Sequence, residues 1–114
     1  QVKEILDQHG TKLLMVSAPN PLNWSTSKHN TLQEWCDQNN VTYIDYNLKP
    51  EELNINWLTD SRDGGDHLNY SGSVKFMNVL GKYLQENYEL TDHRNDPTYT
   101  KWNEDYKSIF GGAQ

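Results

Sequence analysis

Apolar residues fall along this chain in more than one rhythm. In QVKEILDQHG, Val2, Ile5, Leu6 and His9 recur at helical spacing and Gly10 supplies a stop. That stretch reads as a helix that starts without a cap, as a cut chain would. KLLMVSAPNP then gives an unbroken apolar run from Leu13 to Ser17, the pattern of a strand buried on both faces, ended by Pro19 and Pro21. Ser25 or Ser27 is placed to cap a second helix through Gln38, with Leu32, Trp35 and Cys36 on its core face and Asn39 and Asn40 closing it. VTYIDY, residues 41–46, is the next strand. Strand, helix and strand at these lengths predict a βαβ unit with parallel strands.

A long polar loop follows, with one helical turn expected over Pro50 to Leu53. The strongest helical pattern spans Ser71 to Tyr88: Val74, Met77, Gly81, Leu84 and Tyr88 form a stripe that Phe76, Leu80 and Tyr83 widen. A helix so apolar on one side is expected to cover a sheet. From Glu89 the chain is polar with interspersed Tyr99, Trp102, Tyr106 and Phe110, and the terminal GGAQ reads as disordered. The expectation is therefore an α/β fragment in three layers, with residues 1–88 as its body and 89–114 as an extension. Two strands are few for that architecture, so partner strands are expected from elsewhere.

Composition narrows the partners. The 114 residues carry a net charge of -6 and only 34% hydrophobic residues. An acidic surface disfavours nucleic acid and anionic membranes, and no apolar run is long enough to span a bilayer. Four tryptophans, seven tyrosines and two phenylalanines make up for the thin aliphatic content. One cysteine, Cys36, excludes an internal disulfide and a cysteine-based metal site.

The chemistry concentrates in SRDGGDHLNYSGSVKF, residues 61–76. A histidine that acts as a base needs a partner on its second ring nitrogen, and a carboxylate there fixes the tautomer. Asp63 lies four residues before His67 across two glycines, whose tolerance of positive φ lets the chain curl back; Asp66 is adjacent. Either aspartate can reach the ring. The plainer reading makes Asp66, Asn69 and Ser71 turn and cap residues and His67 a surface imidazole. A calcium loop is disfavoured because alternating D-x-D-x-D spacing is missing.

DGGDHLNYSGSVKFMNVLGKYL resembles the last block of SGNH/GDSL-type hydrolases, in the branch of bacterial extracytoplasmic esterases and O-acyltransferases. LLMVSAPNP, LQEWC and VTYIDYN are similar to the last βαβ unit of that flavodoxin-like fold, and the DHRND and WNEDY stretches of the tail fit the same branch. The resemblance implies that His67 is the catalytic base, with Asp63 or Asp66 as its carboxylate. The family's usual aspartate position, three before the histidine, is Gly64 here. The family's Gly-Asp-Ser nucleophile block has no counterpart, so the nucleophile is expected from a missing N-terminal part of the same domain or from another copy of the chain. The implied substrate is an acyl ester, acetyl above all, of an extracellular glycan. The implied location is secreted or cell-surface, with no cofactor. A non-catalytic extracellular binding domain is the alternative.

Three further residues are candidates to line a substrate site: Trp57, in the loop leading to His67, and Asn20 and Asn23, at the end of the first strand. The other tryptophans read as packing residues, His9 and His29 as surface or interface residues, and His93 as part of a turn. The sequons NWS at 23–25 and NYS at 69–71 are present but carry little without knowledge of the source.

Overall fold

A computed structural model of the chain describes residues 1–111. Its elements are helix α1 (Val2–Gln8), strand β1 (Leu14–Ser17), helix α2 (Thr26–Gln38), strand β2 (Thr42–Asp45), helix α3 (Pro50–Leu53), helix α4 (Tyr70–Asn87) and helix α5 (Thr100–Phe110). Short 3-10 turns cover Tyr46–Leu48 and Pro97–Tyr99. Contacts divide the chain into Gln1–Gly81 and Lys82–Gln114, with the boundary inside α4 rather than at its end. The disorder expected of GGAQ lies, beyond Gly111, outside the described residues.

The first unit is α/β. β1 and β2 pair in parallel, Leu14 opposite Thr42 through Ser17 opposite Asp45, and α2 crosses between them and packs on β2. α2 begins where Ser25, in extended conformation, accepts a 3.3 Å bond from the Lys28 amide. Asn40, at φ 53°, turns the chain from α2 into β2. The buried apolar residues are Cys36, Val41, Ile44, Tyr46 and Leu53, strung along α2, β2 and the two short turns after it. Phe76 of α4 meets Tyr46 edge-on at 5.2 Å between ring centroids, a geometry worth about 0.5–1.5 kcal/mol beyond area.

Several burial expectations change. Trp35, expected on the core face, is exposed, as are Val2 and Ile5 of α1. β1 is half-buried throughout rather than enclosed. On α4 the stripe is rotated: Phe76, Val79 and Leu80 are half-buried, whereas Val74 and Met77 face solvent. The reason is geometric. Among the described residues the sheet has two strands, each with an unpaired edge, and so small a sheet leaves apolar side chains of the helices bare.

Within the second unit, Asn103 donates to the Arg94 carbonyl at 3.1 Å, and His93 stacks on Tyr99 at 4.3 Å. Trp102 and Tyr106 of α5 remain exposed.

Gly72 is the tightest backbone contact in the first unit: a Cβ there would sit 2.2 Å from the Asp60 carbonyl oxygen. At Gly81, on the same helix, a Cβ meets nothing within 4 Å. Gly72→Ala is therefore expected to lower stability by about 1–3 kcal/mol, and Gly81→Ala to raise it by about 0.5–1 kcal/mol. Urea unfolding of the two variants checks the pair.

Candidate functional site

The loop that carries His67 is tied at its base before it turns. Ser61 and Leu68 form an isolated antiparallel bridge, and the Arg62 amide donates to the His67 carbonyl at 2.9 Å. Asn69 closes the base: its Nδ2 donates to the Thr59 carbonyl at 2.7 Å, and its Oδ1 accepts from the Gly72 amide at 3.2 Å in the first turn of α4. Asp60, 2% exposed, anchors this base to α4. It accepts from Lys75 Nζ at 2.6 Å, Ser71 Oγ at 2.7 Å and the Asn56 amide at 2.9 Å. The Lys75 bond first, then the Asn56 amide and Ser71, hold its pKa down to about 2. Ser71, expected as a cap, thus spends its hydroxyl on Asp60, and the capping bond comes from Asn69.

Within the loop, Gly64 (φ 76°) and Gly65 (φ 140°) take backbone conformations that side chains disfavour. A Cβ on Gly65 would also press on Pro21 at 3.2 Å and Leu22 at 3.3 Å. The turn folds the Asp63 carboxylate back over the chain. Its Oδ1 accepts from the Asp66 amide at 3.0 Å and the His67 amide at 2.8 Å, and its Oδ2 lies 2.7 Å from His67 Nδ1. Asp66 is the more distant carboxylate, 3.5 Å from the same nitrogen. Of the two aspartates the sequence left open, Asp63 makes the bond.

The charges follow the geometry. The bond to the His67 ring, then its amide and that of Asp66, lower the Asp63 pKa to about 2. The same ring bond raises His67 above its ordinary value of 6.5; the Asp66 charge adds to the rise and Arg62 opposes it. Asp63 accepts at Nδ1, so the neutral ring carries its proton there and leaves Nε2 as the acceptor. His67 is 68% exposed, open to a partner group.

Asn20 and Asn23 are brought to this loop. Both donate Nδ2 to Asp66 Oδ1, Asn20 at 2.9 Å. Each amide thus spends one of its two N–H donors on Asp66. Trp57 lies half-buried in the turn before Asp60 and bonds to none of Asp63, Asp66 and His67. Asp63, Asp66 and His67 bring one ligand atom each within 4.8 Å of one another, close enough to hold a cation. Both Asp63 oxygens already accept N–H bonds, so a metal would share this carboxylate with them.

A second histidine–aspartate pair was not expected. His29 Nδ1 lies 2.8 Å from Asp45 Oδ2, which also accepts from Trp24 Nε1 at 2.8 Å and Tyr43 OH at 3.3 Å. Burial pushes the Asp45 pKa up, but bonds from Trp24, Asn47 and His29 outweigh it and hold the group below its ordinary value. Trp24, His29, Tyr43 and Asn47 border a cleft of about 240 Å³ with Ser17, Asn20, Asn23 and Lys28. The signal was in VTYIDY: a carboxylate at the end of a buried strand needs donors, and a tryptophan and a histidine near the start of α2 can supply them.

Comparison of the chain with protein-family models, curated proteins and solved structures returned no match.

The shifts fix two pH windows. Because the His67 pKa is raised, its contribution to stability is complete below 6.5 and is lost as pH climbs through the folded-state value. Because the Asp63 pKa is lowered, its contribution is present above 3.8 and is lost as pH falls toward 2. NMR titration of the His67 ring should give a midpoint above 6.5. Asp63→Asn should bring it down further than Asp66→Asn does.

Proposed function

We propose that this chain carries the base half of a serine-hydrolase site of SGNH type, on the C-terminal part of a three-layer, flavodoxin-like α/β domain. The observation that carries the reading is the Asp63–His67 pair: a carboxylate 2.7 Å from Nδ1 on an exposed ring. The resemblance of the block around it to SGNH/GDSL hydrolases supplies the reaction class. In that reading a serine from an N-terminal part of the domain, or from another copy of the chain, attacks the carbonyl of an acyl ester. His67 Nε2 takes the serine proton and returns it to the leaving alcohol. Asp63 holds the ring and stabilises the imidazolium between those steps. A water or a second alcohol then takes the acyl group from the serine, with His67 as base again, which gives hydrolysis or transfer. Oxyanion donors come with the missing segment, and no cofactor enters the scheme.

Two features of the chain support an incomplete site. Each strand of the described two-stranded sheet has an unpaired edge where a further strand could add, and Val2 and Trp35, both exposed, share a cleft with Leu13 and Met15. Of the two serines that follow His67 in the same block, Ser71 and Ser73, Ser71 donates its hydroxyl to Asp60. The substrate reading is an acetyl or related ester of an extracellular glycan, and the location is outside the cytoplasm; both rest on the resemblance.

Fluorophosphonate labelling read by intact mass tests the proposal. The 114-residue chain should gain no adduct. A chain extended upstream through the rest of the domain should gain one. His67→Ala in the extended chain should slow labelling by about 10²–10⁴-fold. An unlabelled extended chain would end the hydrolase reading in favour of a non-catalytic extracellular binding domain.

A further inference from the structure

Two carboxylates stand near His67 Nδ1, yet only Asp63 makes the bond, and the other is held by side chains from a different loop. Asp66 Oδ1 is held by two side-chain amides, Asn20 Nδ2 at 2.9 Å and Asn23 Nδ2. Those amides are themselves fixed. The Asn23 backbone N–H donates to Asn20 Oδ1 at 3.0 Å, and the Asn20 backbone N–H donates to Asn47 Oδ1 at 2.6 Å. Asn47 in turn donates Nδ2 to the Ala18 carbonyl at 3.1 Å and to Asp45 Oδ1 at 2.9 Å, and its amide donates to the same oxygen at 2.9 Å. Asp45 is 6% exposed and pinned from its other oxygen by Trp24, His29 and Tyr43. An unbroken series of bonds thus runs from the buried end of β2 to the carboxylate beside the imidazole.

We infer that Asn20 and Asn47 are positioning residues for His67: with Asn23, they hold Asp66 off the ring and so assign the histidine to Asp63. The physical reason is competition. A carboxylate directly before a histidine can swing onto Nδ1 once its own bonds are lost, and the ring can then turn with it. With Oδ1 clamped, Asp66 presents Oδ2 at 3.5 Å, close enough to act through its charge and too far for a good hydrogen bond. Asp63 has its own Oδ1 fixed by two backbone amides and keeps the ring. The loop after β1 therefore sets the direction of a base carried on a different loop.

The inference rests on the reading of His67 as the base, but its test needs no catalysis and runs on this chain. The midpoint of the His67 titration is measured by NMR for Asp63→Asn and for Asp66→Asn, each in the parent and in an Asn47→Ala background. In the parent, Asp63→Asn lowers the midpoint more than Asp66→Asn does. With Asn47 gone, the Asn20 backbone N–H loses its acceptor and the clamp on Asp66 loosens, so the Asp63→Asn drop shrinks and the Asp66→Asn drop grows. Asn20→Ala repeats the test without touching the Asp45 cluster, should Asn47→Ala fail to fold. If the two drops are the same in the released background as in the parent, the inference is wrong. If they change places while an upstream-extended chain stays unlabelled by fluorophosphonate, the positioning role stands and the hydrolase reading falls.

Discussion

One carboxylate sets the geometry of the candidate site. Asp63 accepts from the amides of Asp66 and His67 and from the His67 ring, which places three N–H donors on two oxygens across a four-residue turn. That arrangement requires the chain to reverse tightly, and the reversal requires positive φ at Gly64 and Gly65. The carboxylate then repays the turn by fixing it, because backbone and side-chain bonds end on the same group. Without Asp63 the turn would lose all three of these bonds, and His67 would lose its close partner at Nδ1.

Around that turn the first unit is held as much by polar clusters as by apolar area. Its buried apolar set is small and lies along α2, β2 and the turns that follow. Two buried carboxylates share the work. Asp60 fastens the base of the His67 loop to α4 through Ser71 and Lys75. Asp45 fastens the start of α2 and the end of β2 through Trp24, His29 and Asn47. Buried charges are costly unless fully bonded, and both of these are; removing a partner from either should disturb more than one element.

The local patterns were legible in the sequence. The βαβ unit, the helical turn at Pro50–Leu53 and the long helix α4 follow from periodicity and caps, with boundaries off by a residue. The turn around His67 was also legible, because glycine pairs and Asx residues announce themselves. What periodicity could not give was which faces would be covered. Val74, Met77 and Trp35 are patterned as core and yet exposed, and the sheet among the described residues has two strands. Nor could spacing show that His29 reaches Asp45 or that Asn20 and Asn23 reach Asp66, since these bonds join residues 16 to 46 positions apart. The choice between Asp63 and Asp66 was likewise a matter of three-dimensional competition rather than of spacing.

The chain preforms an Asp63–His67 pair with its proton on Nδ1 and its acceptor on Nε2. Long-range ¹⁵N–¹H correlation spectra of the His67 ring, taken above its titration midpoint, test that directly. Nδ1 should be protonated and Nε2 bare. A ring protonated at Nε2, or one averaging between the two forms, would contradict it.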